Sequence, residues 1–310
     1  MHNTNPNTDK LRDEFLPLTY LNSFQELLFG TQTINQRQNR LDTSVDFILN
    51  SPWDLIRQNA SAIVMDEYLF TDDDNYLVNQ DKYRKTGQYN LIIHKSALIE
   101  DCYFNTEAGP VIIDEQAHIM AGSAIRGPVY IGVHSTIKMG ATIYGGTTIG
   151  KECIIGGEVK NSIFQGYSNK GHHGYIGDSF IGSWCNLGAG TSCSNVKNTA
   201  GIIKYWNICQ HEFQPGGTKC GVLMGDFCKT AINTSLNSGT VLGIFANLFD
   251  AQLLSPKYIP AFSWGCNTGK TYASDKIIIE IENWMAMKNQ KPAPEEISKI
   301  LALYHQIKKA

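Results

Sequence analysis

Lys160, His172, Tyr175, Asn186 and Asn195 fall in one short stretch, and their side chains suit proton transfer and recognition of a polar ligand. An imidazole titrating near neutrality can take a proton from a nucleophile. A lysine ammonium and a phenol O–H both donate hydrogen bonds to anions. Gly188 and Gly190 flank Ala189 in the run GAG, whose small side chains would let a ligand approach main-chain amides. Each residue also has a plainer reading. His172 could be a solvated loop histidine and His173 its bystander, Lys160 an exposed lysine ending a strand, and Asn186 an asparagine that holds a turn.

The elements around this stretch are read from its spacing. Isoleucine stands at 113, 119, 125, 131, 137, 143, 149 and 155, a period of six. The same spacing of six recurs upstream at Ile93 and Ile99, and downstream, after shifts of phase, at Ile181 and Leu187 and at Met224, Leu236, Leu242 and Leu248. Six matches neither the 3.6 of a helix nor the 2 of a long strand. It fits a short strand and a turn, repeated, so that each hexad forms one side of a triangular prism. The position two before each aliphatic is small or β-branched (Ala117, Ser123, Val129, Ser135, Ala141, Thr147, Cys153, Val159), as a corner inside such a prism requires. Stacked coils bury a core that no single repeat could. The pattern breaks at about 167–175, containing SNKGHHGY, and at about 194–221, and insertions on a solenoid commonly build its binding site.

The rest of the chain differs. Only Gly30 and Gly87 of the 28 glycines precede residue 90. The spacing predicts a short α/β N-terminal segment over 1–90, with a helix near 52–60 and a strand near 61–66. The β-helix is expected over 91–265. A helical hairpin is expected over 266–310, its first helix capped by Ser274 and its second with Pro294 in the first turn and Ile297, Ile300, Leu301 and Tyr304 on one face. Hydrophobic content of 42% and charged content of 18% in 310 residues describe a globular chain. A net charge of −3 gives no basic excess for nucleic acid. The polar opening MHNTNPNTDK argues against a secretory leader, no segment reads as a membrane span, and a cytoplasmic location follows as the expectation. The eight cysteines form no CxxC pair and are expected to be buried thiols, with no metal site. TDDDNY is read as a solvated turn.

Three motifs carry a resemblance: E-x-K at Glu158–Lys160, GHxxYIGD at 171–178, and NLGAGT at 186–191. Together they resemble the hexapeptide-repeat acetyltransferase half of the bifunctional N-acetylglucosamine-1-phosphate uridyltransferase/glucosamine-1-phosphate acetyltransferases. The LPLTY start, PWDL segment and FSWG end are similar to the family's putative sugar nucleotidyltransferase relatives, over most of residues 14–265. The resemblance implies a left-handed parallel β-helix, mainly β, with a short N-terminal segment and C-terminal helices. It implies a homotrimer with sites between neighbouring helices, an amino sugar phosphate as substrate and acetyl-CoA as acyl donor, serving sugar-nucleotide synthesis. By position, His172 matches the catalytic base, Lys160 and Tyr175 the residues holding the sugar phosphate, and Asn186 and Asn195 the asparagines at the sugar and acetyl group. The amides of Gly188–Gly190 could then face a developing oxyanion. The arginine of the family's L-R-P-G turn has no counterpart in IYGGT around Tyr144. That leaves Lys138 or Arg126 for a phosphate, or the phosphate unread. Val196 stands where the family has tyrosine. About 90 residues precede the β-helix, without a Gly-rich phosphate loop, so no uridylyl transfer is expected.

Two other classes remain open. One is a β-helix with a decayed site that binds or scaffolds. The other is a metalloenzyme like the γ-class carbonic anhydrases, which fits poorly because His94, His118 and His134 do not repeat at the 18-residue coil period.

Overall fold

The computed structural model describes residues 6–40, 47–250, 253–266 and 269–309; residues 1–5, on which the reading of the polar opening partly fell, lie outside them. Its centre is a parallel β-solenoid with three faces, two of ten strands and one of six. Consecutive hexads go to consecutive faces. Ile113 lies on the first, Ile119 on the second and Ile125 on the third, and Ile131 then pairs with Ile113 one coil on. The eight isoleucines spaced by six from 113 to 155 are each at most 1% exposed, and the eight small or β-branched residues are equally buried. The period of six is therefore the side of a prism with its aliphatics on the axis. The coils begin earlier and end later than the isoleucine phase: the third, six-stranded face, called the open face below, starts at Arg84–Thr86, and the second face reaches Ser263–Trp264.

The three faces meet different surroundings. The first carries apolar residues outward as well as inward, as in Val111–Ile113 and Val129–Ile131, and so reads as continuous hydrophobic strand. Outward Ile163, Phe180, Leu223 and Val241 are buried with Phe15, Phe29 and Trp53 of the N-terminal segment. Asn59 fixes the register of this contact, donating to Gly146 O at 2.8 Å and Thr148 Oγ1 at 2.9 Å. Residues 52–66 form one helix, Pro52–Asp66, which corrects the expected strand at 61–66. The run SAIVM has apolar residues at both periods. The helix wins because Ile56, Asn59, Ala62, Ile63 and Asp66 share one buried side, and because Asp54 accepts the amides of Asn50 and Ser51 at its start.

At the corner between the first and second faces, residues 116, 134, 152, 167, 184, 227, 245 and 262 all take positive φ between 51° and 60°. The left-handed conformation turns the chain there and points each side chain outward. In the upper coils these side chains stack: Tyr167–Trp184 at 4.3 Å, Trp184–Phe227 at 6.2 Å, Phe227–Phe245 at 4.6 Å and Phe245–Phe262 at 5.4 Å. The C-terminal helices, Ser274–Ala286 and Pro294–Lys309, dock on this ladder through Ile277, Ile281, Met285, Ile300 and Tyr304. Ser274 is the first residue of its helix and not its cap; Ala273 precedes it and makes no side-chain cap.

Six cysteines are buried, whereas Cys209 is exposed and Cys266 half-buried, which corrects the uniform expectation. Residues 72–75 are exposed, and the Asn75 amide donates to Asp73 Oδ1 at 2.8 Å, an ordinary turn. Among the described residues no three His, Cys, Asp or Glu side chains are grouped to hold a metal, and no helix is long and apolar enough to cross a membrane.

Candidate active site

The open face and its edge with the second face hold most of the chemistry-bearing residues. The strand Glu158–Lys160 turns Val159 inward and Glu158 and Lys160 outward, both exposed. The strand Tyr175–Gly177 lies one coil above, pairing Glu158 with Tyr175 and Lys160 with Gly177. Tyr175 is half-buried. Burial first, then the negative charges of Asp178 and Glu158, push its phenol up to about 12. It therefore keeps its proton at neutral pH. Asn195 Nδ2 donates to the phenol oxygen at 3.0 Å, so the O–H remains available to a ligand.

The same Asn195 amide donates its second hydrogen to Asp178 Oδ2 at 2.5 Å, and Asn161 Nδ2 donates to Asp178 Oδ1 at 2.7 Å. Asp178 is 6% exposed, and it and Asn161 both sit at positive φ. A buried carboxylate between two amides locks both asparagines in place, and leaves Asn195 Oδ1 as its free acceptor. Sequence reasoning missed Asn161 and gave Asp178 no role. The available signals were the motif's own aspartate and the asparagine directly after Lys160.

His172 and His173 project from the corner 171–174, both exposed, and neither imidazole has a hydrogen bond among the described residues. The main chain under them is tied. His173 O accepts the Gly190 amide at 3.0 Å, and His172 O accepts Lys170 Nζ at 3.0 Å. Gly174 must be glycine, since at φ +127° an added Cβ would lie 2.1 Å from Thr191 O. The expected loop at 167–175 is thus mostly coil: Asn169–Lys170 is a strand of the second face, and only 171–174 departs from it. Gly188 and Gly190 lie one coil above. Their amides donate to Thr230 O at 3.0 Å and to His173 O, so these two N–H groups hold coils together.

Asn186 is separated from the rest. It lies on the second face between Asn169 and Lys229, beneath the helix Ser274–Ala286, and lines a cavity of about 340 Å³ with Lys229, Asn247, Glu280, Asn283 and Trp284. Of the two cations considered for phosphate, Arg126 is exposed on the open face, in the same column as Tyr144 and Lys160 by the register of the three strands. Lys138 sits at the histidine edge, its Cβ 3.3 Å from where a Cβ on Gly156 would stand. The second break, 194–221, mostly leaves the site. Its hairpin, Ile203–Asn207 with Glu212–Gly217, buries Ile203 and Tyr205 against the N-terminal segment, while Asn195 stays beside Tyr175.

No protein-family model matches the chain. A bifunctional sugar-1-phosphate nucleotidylyltransferase/acetyltransferase of Sulfurisphaera tokodaii is 33% identical over 149 residues, 47% of this chain and 37% of that protein. The bifunctional protein GlmU of Methanococcus vannielii is 32% identical over 154 residues, 50% of this chain and 34% of its own length. That of Methanocaldococcus jannaschii is 37% identical over 86 residues, 28% and 21%. The matched stretches thus span 21 to 37% of these three relatives. Over the matched stretch, up to about half its length, the chain is homologous to GlmU-type sugar-1-phosphate nucleotidylyltransferase/acetyltransferases, and its parallel β-solenoid is consistent with a hexapeptide-repeat acetyltransferase.

Proposed function

We propose that the chain transfers the acetyl group of acetyl-CoA to the amine of an amino sugar phosphate, at the edge carrying His172. The observation that supports this most is the pinned set Tyr175–Asn195–Asp178–Asn161, which sits beside exposed Lys160 on the coils that carry His172. The amine nitrogen attacks the thioester carbonyl, and a C–N bond forms as the C–S bond breaks. His172 takes the proton lost by nitrogen and returns it to the departing thiolate, so acetyl-CoA and amine become amide and free coenzyme A. Lys160 and the Tyr175 O–H meet the phosphate, and Asn195 Oδ1 accepts from a sugar or amide donor. The unit is a homotrimer with the site between neighbouring β-helices, as the resemblance implies.

Thiol release from acetyl-CoA, followed with glucosamine 1-phosphate and related amino sugars, tests this reading. The wild type should turn over, and His172→Ala should lose about 10²- to 10⁴-fold in kcat. Turnover undiminished in that variant would sink it. The placement of Asn186 under a helix favours a second reading, a catalytically silent β-helix that binds such sugars. Binding of glucosamine 1-phosphate without any thiol release by the wild type would select it.

A further inference from the structure

The inward row of the second face reads Ile119, Ile137, Ile155, Lys170, Leu187, Thr230 and Leu248 from coil to coil. Lys170 stands where the hexad wants an aliphatic, and it is 2% exposed. An ammonium in such a row is costly unless its hydrogens are taken up. Its stem runs along the core to the edge, where Nζ donates to Gly156 O at 2.8 Å and to His172 O at 3.0 Å. Gly157, at φ +68°, leaves the room. A Cβ there would lie 2.8 Å from Nζ and 2.8 Å from His172 O. Burial lowers the amine to about 8, with Glu158 pulling the other way, so it is still charged at neutral pH. A leucine would suit the core better. What the lysine provides is a hold on the backbone of one particular residue.

We propose that Lys170 is a positioning residue for His172: its ammonium clamps the His172 carbonyl, fixes the corner 171–174 and holds a positive charge against the main chain that carries the imidazole. The clamp and the Gly190 amide on His173 O together tie both histidine carbonyls to the coils below and above. Removing an ammonium from this position should ease protonation of a neighbouring imidazole, since like charges repel. The other titratable groups at this edge are Glu158, Lys138 and His173. The consequence for turnover rests on the acyl-transfer reading; the clamp itself does not.

The test uses the full chain with Lys170→Met, which fills the row with an apolar stem of similar length. Imidazole titrations are followed by NMR, with His172→Gln assigning the resonance. The His172 midpoint should rise by several tenths of a unit when the charge is removed. In the thiol-release assay kcat should fall about tenfold with KM within about twofold, and the acid limb of the pH profile should move up with the NMR midpoint. Should the methionine variant lack a cooperative thermal transition, Lys170→Gln carries the same measurements. A His172 midpoint equal to that of the wild type overturns the inference. If the wild type shows no turnover, the acyl-transfer reading fails, and the NMR arm still decides the role of Lys170. If the wild type turns over and the variant matches it in titration and kcat, only the role of Lys170 fails.

Discussion

Asp226 joins three parts of the chain, and its titration should be visible in stability. It is 3% exposed, beside a cavity lined by Asn22 of the N-terminal segment, by Trp184 and Phe227 of the aromatic corner, and by Glu296 and Lys299 of the last helix. Its carboxylate accepts the Ser183 amide at 2.7 Å and Asn22 Nδ2 at 2.8 Å. Burial dominates these bonds and the Lys299 charge, and raises the carboxyl from 3.8 to about 7. The folded state therefore holds a proton that the unfolded chain has released between those two values. The stabilisation is complete below about pH 4 and is lost as pH rises to about 7. A shift of about 3 units corresponds to about 4 kcal/mol. Asp226→Asn cannot titrate, and Asn22 can present its amide oxygen to the new amide. Denaturant unfolding of both proteins at pH 4 to 8 should show the variant gaining about 4 kcal/mol on the wild type as pH rises. The subtraction removes every other titrating group. A difference that stays level within about 1 kcal/mol, or that slopes the opposite way, refutes the reasoning, because it means that Lys299 and the two donors outweigh burial.

Four further outcomes are expected. Asp178→Asn should lower kcat/KM for the amino sugar phosphate about 10- to 100-fold and cost about 1–3 kcal/mol, since it unpins Asn161 and Asn195; thiol release and thermal melting read the two effects. Phe245→Ala, between Phe227 and Phe262 in the aromatic ladder, should cost about 3–5 kcal/mol, and hydrogen exchange should find the C-terminal helices opening first. Gly174→Ala should destabilise the histidine corner strongly, whereas Gly140→Ala, also at positive φ (+69°) but with nothing within 4 Å, should cost only about 1 kcal/mol; equal melting temperatures would contradict the steric account. Lys229→Met removes the cation 3.1 Å from buried Glu280 and leaves that carboxylate, among the described residues, only Tyr272 as a side-chain donor; it should cost about 3–5 kcal/mol, most of it recovered in the double variant Lys229→Met/Glu280→Leu.

The solenoid was legible because one residue in six must face its axis, and isoleucine marks that position eight times running. The same logic fails where the inward residue is unusual. Lys170 occupies an aliphatic place, so the strand Asn169–Lys170 read as loop, and the clamp on His172 was invisible. The aromatic ladder escaped for a related reason. Its members recur at coil spacing, Phe227, Phe245 and Phe262 most plainly, but they face outward, where periodicity of burial gives no signal. The strand expected at 61–66 failed because SAIVM satisfies two periods, and the cap at Asp54 and the packing of Ala62 and Ile63 on the first face decide between them.

The site residues were legible as types and motifs, and their grouping was not. The resemblance treats Lys160, Tyr175, Asn186 and Asn195 as one set, whereas the fold divides them between faces. Lys160, Tyr175 and Asn195 gather at the open face, and Asn186 is roofed by the first C-terminal helix. The roof is a consequence of the ladder. Stacked aromatics at the neighbouring corner give the helices an apolar anchor, and the Lys229–Glu280 pair holds the first of them over the second face. A neighbouring subunit that approached Asn186 would meet this helix before the asparagine. Among the described residues no helix covers the open face, where Arg126 and Lys160 are exposed and Tyr175 is half-buried beside Asn195. Contact with a ligand or a second copy is therefore physically simplest along the edge where the open face meets His172, and residues on that edge should govern activity more strongly than Asn186 does.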